Sequence, residues 1–224
     1  MQAQISYAGT AATDGWLAQG SAGSFDELGM VVVSRANQEI FGTDDPANYC
    51  YKVLGGCVRI VKLIADGRRQ ILEFLLPGDF FGFDSLGQHH ASAEAITRTT
   101  LLRYPRRRID ALVETDPSLA RMVRKMVSTK LEAAHRSMLS LGRKSADERI
   151  ASFLLELADR QTEAASTIDL HMSRQDIADH LGLTLETVSR VLSRLKRRGL
   201  IDLPVSSHIR LLDREALEDL DAQV

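Results

Sequence analysis

The chain has 224 residues, 44% of them apolar and 26% charged, with a formal net charge of -2 at pH 7. That is room for two modest domains with their own cores, in the composition range of globular proteins. No run of about eighteen apolar residues occurs, so no membrane span is expected. The two cysteines, Cys50 and Cys57, are too few for a disulfide scaffold and point to a cytoplasmic setting.

The N-terminal MQAQISYAGTAATDG lacks the basic start and apolar core of a secretory signal. Residues 1–24 read as a poorly ordered leader. From residue 25 to 104 the signals are for strands. MVVVSRANQEIFG, NYCYKVL, CVRIVKLI and RRQILEFLL are short apolar or alternating runs, separated by turn residues such as Gly55-Gly56, Asp66-Gly67 and Pro77-Gly78-Asp79. Asp66-Gly67 between two alternating runs predicts a hairpin. Several short strands at regular spacing predict an all-β sandwich or barrel.

Residues 105–142 change character. Arg106 to Val113 reads as a short helix, and Asp116-Pro117 starts a longer one, with Pro117 in the first turn where a helix tolerates it. Leu119, Val123, Val127, Leu131, Ala134, Met138 and Leu141 recur every three or four residues along it. Such a narrow seam suits a partner helix, and it also suits packing on the chain's own β domain. Gly142 is expected to interrupt this helix and mark a domain boundary before residues 143–224. Ser145 to Gln161 is a fresh amphipathic helix with Ile150, Phe153, Leu154 and Leu157 inward, and Thr167 to Leu170 reads as a short strand.

The most informative stretch is SRQDIADHLGLTLETVSRVLSRLKRRG, Ser173 to Gly199. Ser173 caps a first helix, with Asp176 completing a capping box. Gly182 suits a left-handed C-terminal residue, and Thr184 caps a second helix, Leu185 to Arg198. In that helix Val188, Val191, Leu192 and Leu195 form one buried stripe. Glu186, Ser189, Arg190, Ser193 and Arg197 lie opposite. This spacing fits two things equally, an ordinary helical hairpin with a solvated polar face and a helix made for the DNA major groove. For the second, Arg190 can bond guanine O6 and N7, Glu186 can accept from a cytosine amine, and Ser189 can serve either. Leu200 to Leu203 and His208 to Leu212 then form a hairpin around Pro204 to Ser207, the wing of a winged helix. Arg190, Arg194, Lys196, Arg197 and Arg198 form a basic cluster, while Asp213, Glu215, Glu218, Asp219 and Asp221 make an acidic tail.

MSRQDIADHLGLTLETVSRVLSRL is similar to the recognition region of the CRP/FNR family of bacterial transcription regulators. Glu186, Ser189 and Arg190 match the E-x-x-S-R signature of its FNR and FixK subgroups. The CRP subgroup has Gly where Ser189 stands and Arg where Leu185 stands. The resemblance implies an α+β chain: an N-terminal β-roll of the cyclic-nucleotide-binding, jelly-roll type, a long dimerisation helix and a C-terminal winged helix-turn-helix. Leu76 to Gly82, LPGDFFG, resembles the family's roll turn. The implied partners are double-stranded DNA with a palindromic promoter site, RNA polymerase and a second copy of the chain. Leu185, Glu186, Ser189 and Arg190 would then read bases in TTGAT-like half-sites. Ser173, Arg174, Gln175, Thr184, Thr187 and Ser193 would hold phosphates, which set register rather than sequence. The seven seam residues would form the dimer interface. A negative charge at Ser173 is expected to leave the free protein folded, since acids also cap helices.

No cofactor is expected. Cyclic-nucleotide binders of the family carry an Arg-containing pair after the GDFFG-like turn, and His89-His90 stands there instead, without the bidentate grip on a phosphate. The iron-sulfur cluster of the FNR subgroup needs an N-terminal cysteine group, and no cysteine precedes Cys50. No metal site is expected either, because His89 and His90 point to opposite faces of a strand. No catalytic constellation occurs, so no enzyme activity is expected. Cys50 and Cys57 fit a redox pair or two small core residues. These features place the chain with the FixK type. A regulator gated by a nucleotide or another small ligand is the alternative.

Overall fold

The structure is a computed structural model that describes residues 28–84, 87–161, 167–205 and 207–222. The expected leader, residues 1–24, lies outside them. Strands β1 (Met30–Ser34), β2 (Glu39–Phe41), β3 (Tyr49–Gly55), β4 (Val58–Leu63), β5 (Arg69–Leu75), β6 (Phe80–Phe81), β7 (Ser92–Ala95) and β8 (Thr99–Pro105) build two four-stranded antiparallel sheets. Their orders are β1-β8-β3-β6 and β2-β7-β4-β5. The expected hairpin at Asp66-Gly67 joins β4 to β5, whose register runs from Val58 opposite Leu75 to Leu63 opposite Arg69. MVVVSRANQEIF is two strands in different sheets, because Asn37 takes a positive φ of 61° and turns the chain.

In β3 and β8, period-two alternation buries both faces. Tyr51, Val53 and Leu101 point between the sheets, where they meet Phe41, Val58, Leu75 and Phe81. Cys50, Leu102 and Tyr104 point the other way, against Ile109 and Leu119. Gly56 allows the turn into β4: a Cβ there would lie 2.6 Å from the Arg98 carbonyl oxygen, and its φ is +89°. Cys50 and Cys57 are both fully buried free thiols. Burial pushes each pKa up to about 12, so neither carries a reactive thiolate, and each serves as a small core residue.

Helix α1 (Arg106–Thr115) leads into α2 (Pro117–Arg143). Asp116 caps α2, accepting from the Ser118 and Leu119 amides, with Pro117 in the first turn as its sequence predicts. Two expectations are corrected. Gly142 does not interrupt the helix, which runs on to Arg143; one glycine costs about 1 kcal/mol, and a helix of 27 residues absorbs it. Leu119 is not free for a partner helix, because it is buried beside Cys50, Tyr104 and Ile109 of its own chain. Val123 packs on the same cluster. Only from Val127 onward does the stripe face outward: Val127, Leu131, Ala134, Met138 and Leu141 are exposed, and Leu139 joins them.

The C-terminal part contains α3 (Ala146–Gln161), β9 (Thr167–Asp169), α4 (Arg174–Leu181), α5 (Leu185–Arg197), β10 (Ile201–Val205), β11 (His208–Leu211) and α6 (Arg214–Asp221). Strands β10, β11 and β9 form a three-stranded antiparallel sheet. The expected acidic tail is instead a helix, α6. Asp213 caps it, Leu217 is fully buried, and Arg214 pairs with Asp159 and Glu218. Inward residues of α3, α4 and α5 share one core with Val61, Ile71, Phe74 and Leu76 from the outer face of the second sheet. The C-terminal part therefore packs directly on the β4–β5 hairpin.

His180, in the last turn of α4, sits in that contact. Its Nδ1 lies 3.1 Å from the Ile71 carbonyl oxygen, and its ring packs against Phe74 and Phe153. Burial holds its pKa below the ordinary histidine value. The unfolded chain therefore takes up a proton that the folded chain refuses, and stability falls as pH drops through the ordinary range near ~6.5. Urea unfolding at pH 7.5 and pH 5.5 should show a loss of up to about 1.4 kcal/mol per pH unit from this group. His180→Gln should flatten that dependence, and an unchanged pH profile would contradict the burial argument.

Candidate nucleic-acid interface

Local chemistry fixes the helix pair. Ser173 Oγ accepts from the Asp176 amide at 3.1 Å, while an Asp176 carboxylate oxygen accepts from the Ser173 amide at 3.0 Å. Both halves of the capping box are thus closed. Gly182 ends α4 with φ of 62° and ψ of 40°, and Thr184 caps α5 by accepting from the Thr187 amide. Val188, Val191, Leu192 and Leu195 are all buried, as the stripe predicts.

The opposite face of α5 is open. Glu186, Arg190 and Ser193 are exposed, Ser189 is half-buried, and Leu185 keeps 39% of its surface. The side chains of Glu186 and Arg190 make no hydrogen bond or ion pair among the described residues. Ser193 Oγ donates to the Ser189 carbonyl, and Arg174 reaches Ser189 Oγ at 3.4 Å. Thr184 and Thr187 share a hydroxyl contact of 3.0 Å. Gln175 donates to Asp179 at 2.7 Å. All ten residues expected to meet DNA therefore lie on α4 and α5, with Ser173 and Thr184 as their caps. A cleft of about 430 Å³ lies between the α4 N-terminus and the β10–β11 turn, lined by Leu170 to Arg174 and Ser207.

The basic cluster divides. Arg194 forms an ion pair with Asp147, its Nε to Oδ1 distance being 2.8 Å, and Lys196 pairs with Asp202 at 3.1 Å. Arg190, Arg197 and Arg198 are exposed and unpaired among the described residues.

The sequence reading missed what lies behind the helix pair. The Asp176 carboxylate also receives Arg59 of β4 at 2.8 Å and Arg69 of β5 at 2.7 Å. Arg59 continues to Glu94, and Arg69 to Asp179. Gln70 donates to the His180 carbonyl, while Arg160 of α3 pairs with Asp79 and donates to the Phe74 carbonyl. Burial pushes the Asp176 pKa up, but the Ser173 hydrogen bonds and the two guanidiniums outweigh it and hold the carboxyl below its usual value. Its stabilisation is therefore complete at neutral pH and lost only as pH falls below the ordinary carboxylate range. Arg59 and Arg69 are ordinary strand residues in sequence, and no local signal links them to a helix more than a hundred positions away.

Among the described residues no group of three His, Cys, Asp or Glu side chains could hold a metal ion. His89 is buried, with Nδ1 2.8 Å from Asp84 and its ring stacked on Phe41 at 3.5 Å, while His90 is exposed. No described helix is long and apolar enough to cross a membrane.

Comparison with known proteins agrees with this geometry. The Crp-like helix-turn-helix domain matches residues 148–220, and the cyclic nucleotide-binding domain matches residues 31–116. The nitrogen fixation regulation protein FixK of Azorhizobium caulinodans is 47% identical over 199 residues, 87% of this chain and 80% of that one. FixK of Bradyrhizobium diazoefficiens is 41% identical over 88% of this chain and 84% of its own. The solved structure of FixK2 from Bradyrhizobium japonicum superposes with a TM-score of 0.84 at 44% identity, covering 88% of this chain and 98% of that one. The chain belongs to the CRP/FNR family, to its FixK type. It is a transcription regulator whose helix-turn-helix domain binds DNA. The relatives are transcription regulators rather than enzymes.

The position of Asp176 alters one expectation. Ser173 Oγ also donates to Asp176 Oδ2 at 2.7 Å, so Ser173→Asp sets a second carboxylate against a buried one. The acidic variant is expected to lose stability even as a free protein, by more than the ~1 kcal/mol of a lost cap in Ser173→Ala. Urea unfolding of both variants checks this, and an Asp variant as stable as the Ala variant would contradict the arrangement.

Proposed function

We propose that this regulator works as a homodimeric activator that reads TTGAT-like inverted repeats through α5, needing neither a cyclic nucleotide nor an iron-sulfur cluster. The observation that carries the reading is the outward face of α5, where Arg190 and Glu186 are exposed and unpaired among the described residues, beside Ser189 and Leu185. Arg190 reads guanine, Glu186 accepts from a base amine, Ser189 serves a neighbouring base edge, and the exposed Leu185 meets a thymine methyl. Ser173, Arg174, Gln175, Thr184, Thr187 and Ser193 hold the phosphates on either side. The exposed stripe Val127, Leu131, Ala134, Met138 and Leu141 supports dimerisation along α2. Two α5 helices related by a two-fold axis then reach half-sites about 10 bp apart, and RNA polymerase is the partner through which bound protein activates.

The match of residues 31–116 to the cyclic nucleotide-binding domain favours a second reading, a ligand-gated regulator. Against it, His89-His90 stands where the family's Arg-containing pair is expected, and the His89 ring stacks on Phe41, beside Tyr51 and Phe81. Titration of site affinity with added cyclic AMP separates the two: no change supports the ungated reading, and binding only with the nucleotide overturns it.

Arg190→Ala should cost about 1–3 kcal/mol on the specific site and erase preference at one base pair. Selection from random DNA with both proteins measures this, and an unchanged preference would remove Arg190 from base reading. In Val127→Glu with Leu131→Glu, charges would be buried unpaired in the dimer at a cost of several kcal/mol. Light scattering should show a monomer that binds the palindrome poorly; a stable, fully active dimer would remove this stripe from the interface.

A further inference from the structure

Only Lys144 and Ser145 separate α2 from α3, and one side chain spans that joint. Arg149, in the first turn of α3, donates three hydrogen bonds to three carbonyls. Nη2 reaches Leu141 at 2.8 Å, Nε reaches Lys144 at 2.9 Å, and Nη1 reaches Leu181 at 2.9 Å. Leu141 lies in the last turn of α2, Lys144 is its C-cap, and Leu181 is the last residue of α4. Helix C-termini leave such carbonyls unsatisfied and carry partial negative charge, so a cation is favoured at each. The planar guanidinium fork fixes direction as well as distance, which a flexible ammonium does not.

A second contact closes the same joint. A Cβ on Gly182, the turn between α4 and α5, would lie 3.4 Å from Leu141 Cδ2 and 3.8 Å from Arg149 Nη1. The helix-turn-helix turn therefore rests on the last turn of α2. On the far side, Lys144 Nζ reaches Asp221 of α6 at 2.5 Å and Ser152 of α3 at 2.9 Å. The path from α2 to the helix that precedes α5 thus runs through satisfied hydrogen bonds, with no free linker.

We propose that Arg149 is a positioning residue that sets the half-site spacing the dimer accepts. This rests on the dimeric, palindrome-reading function proposed above. In that dimer α2 lies along the two-fold axis, so the angle at the α2–α3–α4 joint fixes where the two α5 helices stand. Shifting a half-site by one base pair moves it about 3.4 Å along the DNA and roughly 35° around it. A stapled joint cannot follow that movement, so the second half-site is lost and with it the gain from bivalency.

The test uses the full chain and a set of inverted repeats whose spacing is changed by one base pair in either direction, together with a single half-site. The wild type should bind the matched repeat on the order of a hundredfold more tightly than either shifted one. Arg149→Met removes all three bonds. It should stay dimeric by light scattering and keep its base preference on the half-site, while the matched-to-shifted ratio falls to about tenfold or less. Arg149→Lys keeps the charge but reaches one carbonyl, and should broaden the profile as well; it carries the test if the Met variant does not fold. A residue that merely stabilised the fold would lower affinity equally at every spacing. Folded, dimeric variants with the wild-type spacing profile would therefore overturn the assignment while leaving the dimeric reading intact. A wild type with no spacing preference, or one that binds a lone half-site as tightly as the repeat, would overturn both.

Discussion

The carboxylate of Asp176 ties the local structure of the DNA-binding helix pair to the tertiary structure of the whole chain. One side of it closes the capping box of α4 with Ser173, and the other receives Arg59 and Arg69 from the β4–β5 hairpin. A carboxylate this buried is tolerable only when its lone pairs are filled by donors or cations. Each part therefore supplies what the other lacks. Without the roll, α4 begins on a charge with no counter-ion. Without α4, two arginines of the second sheet keep, among the described residues, only Glu94 between them, on Arg59. The apolar contact of Phe74 with Phe153 and His180 supplies burial beneath this polar rim. The roll is thus part of the scaffold on which α4 and α5 are presented, whether or not any ligand enters it.

What the sequence made legible was what depends on near neighbours. The Asp116-Pro117 start of α2, the caps Ser173 and Thr184, the left-handed Gly182, the stripe of α5 and the Asp66-Gly67 hairpin involve residues a few positions apart, and their chemistry recurs wherever those spacings do. An all-β domain was legible from strand spacing, and the β-roll and the family from the resemblance carried by the motif at Glu186, Ser189 and Arg190. The misses share one cause. Leu119 carries the same periodicity as Val127, and only the placement of Cys50 and Tyr104 decides that it turns inward. The acidic C-terminus reads as a tail by charge, yet Leu217 and the cap Asp213 make it a helix because α3 offers a surface to cover. Arg59 and Arg69 carry no local mark at all; their partners on α4 are more than a hundred residues away.

Charge shows the same dependence on folding. A net charge of -2 says nothing in favour of a polyanionic partner. The fold sorts the charges. Asp147 and Asp202 neutralise Arg194 and Lys196 at the edge of α5, Asp221 holds Lys144, and Asp159 and Glu218 hold Arg214. Many acidic groups of the C-terminal part thus face cations of the same chain, while Arg190, Arg197 and Arg198 face outward with no acidic partner among the described residues. Within a Debye length of about 8 Å at physiological salt, a phosphate approaching α5 meets those local cations rather than the net charge. In the proposed reading, phosphate attraction and base reading then fall on one helix. The orientation of that helix is set from behind, by Asp176 on one side and by the carbonyls gathered around Arg149 on the other. In the proposed reading, sequence-specific binding depends on groups that never approach a base, because they hold the helix that carries Arg190 in place before DNA arrives.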